Sequence, residues 1–156
     1  MPVSPKLKKY LDEKNVSYEI SEHTLAYTAS EIAGVQHVPG KQMVKSVIIK
    51  SGSDFLMCVL PAIHLIDFEK LQHVAGTDDL KLADEEEIAK LFPEYEIGAE
   101  PPFGHLYGLK VFVDASLEDD DSITFNAGSH TDAITMNFKD FMRITDSKLA
   151  EIGTHI

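Results

Sequence analysis

Three places in this chain of 156 residues combine residue types that can hold or polarise a ligand. The first is Lys45, between Val44 and Ser46 and followed by the β-branched run Val47-Ile-Ile49. Strand alternation can turn Lys45 to solvent. Burial of that run on both faces would instead leave an ammonium needing an anionic or carbonyl partner, which a ligand can supply. The second is Gly98-Ala-Glu-Pro-Pro-Phe-Gly-His-Leu-Tyr-Gly108, which holds three of the nine glycines and two of the seven prolines. Pro101 and Pro102 fix φ, and Pro101 biases Glu100 toward extended backbone. The result is a stiff loop that serves either as a connector or as a wall showing its N–H and C=O groups to a ligand. The third is Asn126-Ala-Gly-Ser-His-Thr-Asp132. There Gly128 can take φ > 0, making either a plain hairpin turn or one whose amides meet a phosphate, carboxylate or ribose.

Other chemistries find no support. The seven histidines (His23, His37, His64, His73, His105, His130 and His155) are scattered, and none forms a pair one helical turn apart. The single cysteine, Cys58, allows neither an intramolecular disulfide nor a thiolate-rich zinc site. Within Phe55-Leu-Met-Cys-Val-Leu60 it reads as a small buried hydrophobe. A nucleophile elbow, a Walker loop and a dinucleotide fingerprint are missing, so no metal and no cofactor is expected. A formal net charge of −12 disfavours wide contact with a phosphate backbone and therefore DNA, but leaves room for a grip on one end of a nucleic acid. No apolar run suits a membrane span or signal peptide, and a reducing cytoplasmic location fits the cysteine count.

The elements that must position these residues follow from periodicity. Leu7, Tyr10 and Leu11 place a helix over Ser4 to Asn15, and Tyr18 and Ile20 place a strand over Ser17 to His23. Thr28-Ala-Ser-Glu31 has the spacing of a capping box opening a short helix. Lys41 to Lys50 and Phe55 to Leu60 form a hairpin about Ser51-Gly-Ser-Asp54. A helix from Asp67 to Ala75, capped by Asp67 and closed by Gly76, precedes a short strand at Leu80 to Leu82 and a helix from Asp84 to Phe92. Lys110 to Asp114 is a strand, and the acidic run Glu118 to Asp121 a turn. Ser122 to Asn126 and Ala133 to Asn137 are paired strands, Phe138 to Arg143 a short helix, and Asp146 to Ile152 a final turn or two of helix. The expected fold class is α+β, a single domain over residues 1–156 with a mixed, mainly antiparallel sheet and surrounding helices.

Taken together, Val44-Lys45-Ser46-Val-Ile, Gly98-x-x-Pro-Pro-Phe-Gly104 and Phe125-Asn-Ala-Gly128 resemble the YbaK family, also called the prolyl-tRNA-synthetase-associated editing domain. Leu60-Pro-Ala-Ile-His64 and Thr28-x-x-Glu31 add to the resemblance, which runs from about Pro5 to Thr145. It implies hydrolysis of the ester joining a wrong, small amino acid to the terminal ribose of a tRNA. Lys45 would be the residue on which activity depends, binding and orienting the terminal nucleotide. Ser46 beside it, and Gly98, Pro101, Phe103 and Gly104 of the loop, would place the aminoacyl group and a water, with the substrate's own ribose hydroxyl assisting. Tyr27 and Thr28 would line the amino-acid side of the pocket, and Asn126, Gly128 and His130 its other wall. The implied partners are the acceptor end of a mischarged tRNA and an aminoacyl-tRNA synthetase that delivers it. The alternatives are a non-catalytic module holding a nucleotide or amino-acid-like ligand in the same pocket, and an interaction protein with a vestigial pocket. On the catalytic reading, Gly104→Val is expected to cost activity far more than stability.

Overall fold

The computed structural model describes residues 5–22 and 43–155. The expected Thr28 helix lies outside these residues. Helix α1 (Pro5–Glu13) buries Leu7 and Leu11, one turn apart, and ends before Asn15, which takes φ 56°. Strand β1 is Tyr18–Glu22. Strands β2 (Val44–Ser51) and β3 (Asp54–Pro61) pair antiparallel across the predicted turn, which places Lys45 opposite Leu60. A short β4 (His64–Ile66) leads into α2 (Phe68–Ala75). Asp67 caps this helix by accepting from the N–H groups of Glu69 and Lys70, and Gly76 ends it at φ 74°.

Strand β5 (Leu80–Leu82) pairs with β2. Helix α3 (Glu85–Leu91) opens with a reciprocal capping box between Asp84 and Glu87. A 3₁₀ turn at Gly104–Tyr107 leads to β6 (Lys110–Asp114), and a second follows at Ala115–Asp119. The acidic run therefore begins inside a 3₁₀ helix, which Leu117 anchors by burying its side chain. Strands β7 (Ser122–Asn126) and β8 (Asp132–Asn137) form the second hairpin, and α4 (Phe138–Ile144) buries Phe138, Phe141 and Ile144.

The last segment differs from expectation. In place of a helical turn, Ser147–Ala150 is strand β9, parallel to β6, and Gly153–His155 is β10, antiparallel to β4. The stretch is too short and polar to show a period of its own. Its pairing comes from an exposed edge that only the folded β6 provides.

Among the described residues, β5-β2-β3-β6-β9 form a mixed five-stranded sheet and β1-β8-β7 an antiparallel three-stranded one. An isolated parallel bridge pairs Met43, just before β2, with Thr124 of β7. On one face of the larger sheet, Val44, Ile48, Met57, Val59, Val111 and Val113 share a core with Leu7, Phe103, Phe125 and Phe141. On the other, Ile49, Leu56, Cys58, Leu60 and Phe112 pack with Leu71 of α2 and Ile152. Burial pushes the Cys58 thiol up to about 12, so it is an inert core residue, as its apolar surroundings implied. The architecture is α+β with a mixed, largely antiparallel strand arrangement.

Candidate active site

Lys45 is the second residue of β2 and half-buried. Val44 and Ile48 face the larger core, whereas Val47 and Ile49 pack in the smaller one. Alternation therefore turns Lys45 toward the face of its register partner Leu60. Burial lowers its pKa, and desolvation is the only influence on the ammonium among the described residues. Ser46 points to the opposite face with Val44 and Ile48, so the fold separates it from Lys45.

The Met43–Thr124 bridge brings the start of β2 next to β7. In a parallel pair, residues two positions on from a bridged pair are again level and on the same face. Continued two residues beyond the bridge, that register sets Lys45 level with Asn126, the last residue of β7. Asn126 is 8% exposed, and its Oδ1 has no hydrogen-bond partner among the described residues.

Beyond Asn126, the two glycine loops interlock. Gly128, at φ 101°, donates its N–H to Ala99 O at 3.0 Å and accepts from Glu96 N at 2.9 Å. The His130 amide donates to Glu96 Oε1 at 3.0 Å, and its ring Nε2–H donates to Ile97 O at 2.7 Å. Gly98, at φ 88°, leaves room for that ring: a Cβ there would sit 3.3 Å from His130 Cε1. The Gly98 N–H is taken by Glu100 Oε2 at 2.6 Å. The Gly98 and Gly128 amides are thus spent inside the protein, contrary to the expectation that they remain free for a ligand. The loops shape the site and leave few donors for it. A further chain from Ser129 Oγ to Asp132 Oδ2 at 2.6 Å fixes the turn from behind.

The sequence did not single out Glu100 or Glu96. Glu100 is 6% exposed. Burial pushes its carboxyl up, against the pull of the N–H groups of Gly98, Glu100 and Ala99 and of nearby His130. The available signal was an acid placed directly before two prolines inside a glycine loop, a poor position for a solvated charge.

The remaining predicted residues divide. Pro101 is buried in the loop. Phe103 is a core ring, with its centroid 5.5 Å from those of Phe125 and Phe141. Gly104 lies against Met57, whose Cβ and Sδ would each be 3.2 Å from an added Cβ, so its role is packing. Tyr27 and Thr28 lie outside the described residues. A cavity of about 880 Å³, lined by Ser51, Asp54, His105, Lys110, Asp146 and Lys148 among others, opens at the hairpin-turn end of β2 and β3 and contains none of the predicted site residues.

This arrangement has known relatives. The chain is 31% identical over 104 residues to the proline–tRNA ligase of Staphylococcus saprophyticus, which covers 65% of this chain and 18% of that protein. It is 34% identical over 65 residues to the proline–tRNA ligase of Thermosipho africanus, covering 42% of this chain and 12% of the relative. The chain therefore spans about a fifth or less of the length of these relatives. A solved structure provisionally described as a trans-editing enzyme for prolyl tRNA synthetase superposes with a TM-score of 0.85 at 21% identity, over 98% of this chain and 99% of that one. A scaffold protein used for epitope backbone grafting gives a TM-score of 0.84 at 22% identity, over 99% and 100% of the two chains. These likenesses establish the fold. The family model for the aminoacyl-tRNA editing domain matches residues 23–144, which include Lys45, both glycine loops and Asn126, and the chain belongs to that family.

Proposed function

We propose that the protein is an aminoacyl-tRNA deacylase that releases a small, wrongly attached amino acid from the acceptor end of a tRNA. The observation that carries this reading is Lys45: a desolvated ammonium, with no influence but burial among the described residues, at a strand end beside the interlocked loops of an editing-family chain. Such a cation fits the phosphate or ribose of a terminal nucleotide. Residues 1–156 act as one catalytic unit on this reading.

Hydrolysis needs little further machinery. An aminoacyl ester is already activated. Water adds to its carbonyl carbon, the bond from that carbon to the ribose oxygen breaks, and the leaving oxygen takes up a proton. Positioning and polarisation supply the acceleration. Lys45 orients the nucleotide as a cation and acts as neither nucleophile nor base. The rigid frame of Gly98, Pro101, Gly128 and His130 sets the space open to the amino-acid side chain. Because the relatives are proline–tRNA ligases, a tRNA that such an enzyme mischarges is the first substrate to try, and a synthetase is the candidate for delivery.

The non-catalytic binding module has one observation in its favour, the prior engagement of the Gly98 and Gly128 amides, which leaves few donors for a developing oxyanion. Release of amino acid from a panel of mischarged tRNAs decides between the two. The deacylase turns over at least one member of the panel. Saturable nucleotide binding with no turnover establishes the module instead.

A further inference from the structure

The register that sets Lys45 level with Asn126 has a chemical consequence. Asn126 Oδ1 is a buried acceptor with no hydrogen-bond partner among the described residues, and Lys45 presents a desolvated donor one strand away. Leaving such an acceptor unmade is unfavourable, and native structures keep one where something else completes it. Carbonyls and phosphate oxygens answer Lys45 only, because they cannot donate. An ammonium answers Asn126 only, and lies badly beside Lys45. A hydroxyl does both: its oxygen accepts from the Lys45 ammonium and its hydrogen is donated to Asn126 Oδ1.

We propose that Lys45 and Asn126 together form a hydroxyl-binding pair, with Asn126 Oδ1 as the acceptor that fixes the orientation of that hydroxyl. This rests on the deacylase reading and names the group that its site grips. Two sources carry the chemistry next to an aminoacyl ester: the free hydroxyl of the terminal ribose, and the attacking water. Asn126 closes β7 immediately before the Gly128 turn, which Glu96, Ala99 and His130 hold in place, so its carboxamide sits on a rigid mount.

The test compares wild type, Asn126→Leu and Asn126→Asp on one mischarged tRNA ending in either adenosine or 2′-deoxyadenosine, with thermal unfolding of each variant measured alongside. Leucine removes the acceptor and aspartate keeps one. Loss of a hydrogen bond to a group at the reacting centre is worth about 10²-fold in kcat. Asn126→Leu is expected to lose about that much on the adenosine substrate, and Asn126→Asp to recover at least tenfold of the loss, roughly the share one restored hydrogen bond can return. If the group is the ribose hydroxyl, Asn126→Leu causes no further loss on the deoxy substrate. If it is water, the loss is equal on both substrates. A folded Asn126→Leu with wild-type kcat and KM overturns the assignment while the deacylase reading stands. So does a folded Asn126→Asp no better than Asn126→Leu or, where the leucine variant does not fold, a folded Asn126→Asp without activity. A wild type that hydrolyses no mischarged tRNA overturns the deacylase reading, and this assignment with it.

Discussion

Lys45 and Gly104 play opposite parts in the fold: one is a half-buried charge and the other a packing position. Lys45 is tolerated at a cost: its folded pKa lies below the ordinary 10.5, so the unfolded chain holds the proton more tightly. Charged Lys45 therefore weakens the fold at every pH below its folded pKa, and that cost fades as pH rises toward 10.5. Lys45→Met, which keeps the stem and drops the charge, is expected to unfold at an equal or higher urea concentration at neutral pH. Gly104 is the opposite case. With Met57 Cβ and Sδ 3.2 Å from where a Cβ would sit, Gly104→Val overpacks the core and is expected to cost about 1–3 kcal/mol in urea denaturation. The sequence alone pointed to a loss far larger in activity than in stability, because nothing in Pro-Pro-Phe-Gly reveals that the glycine faces Met57. An unchanged unfolding midpoint for Gly104→Val would contradict the packing account.

The Gly98 loop and the C-terminal strand each hang on one buried carboxylate. Glu100 has its folded pKa raised above the ordinary 4.5, mainly by burial, so the ionised form weakens the fold above that folded pKa and the cost vanishes below 4.5. Glu100→Gln removes the charge and keeps an acceptor for the Gly98 N–H. It is expected to be more stable than wild type at pH 7, with the gap closing as pH falls from the folded pKa toward about 4.5, as urea midpoints across pH would show. A gap independent of pH would mean that the carboxylate is not the cause.

Asp114 behaves in the opposite sense. Burial alone would raise its pKa. Ser116 and the N–H groups of Ile152 and Gly153, the latter two donating at 3.1 and 3.0 Å, outweigh burial and hold it below the ordinary range. Its contribution is present at neutral pH and lost as pH falls through the folded pKa. Asp114→Ala is expected to speed hydrogen exchange at the Ile152 and Gly153 amides far more than at the centre of β3. Uniform acceleration would show that Asp114 supports the whole fold rather than β10.

These elements also mark how far the sequence could be read. Asp67 and Gly76 announced both ends of α2, and the Ser51–Asp54 turn announced the hairpin, because caps and turns are local chemistry. Strand β9 was read as helix because its only argument is the edge of β6. Lys45, the glycine loops and Asn126 were legible as residue types. That Glu96 and Glu100 consume the loop amides, and that Lys45 comes level with Asn126, depends on contacts between segments tens of residues apart.

At the scale of the whole molecule, a formal charge of −12 constrains how a tRNA can be held. Few phosphates can be neutralised, so the logarithm of kcat/KM against the logarithm of salt concentration should fall with a slope of about −1 to −2, the signature of one or two contacts. A slope near −6 would indicate an extended basic surface that this composition does not provide. On the proposed deacylase reading, hydrolysis depends on one desolvated lysine mounted beside a rigid double loop. The direct measurement is single-turnover release of amino acid from mischarged tRNA by the wild type and by Lys45→Met, each shown to be folded. The account predicts release by the wild type and a loss of at least about 10²-fold for Lys45→Met. Equal rates from the two proteins would contradict it.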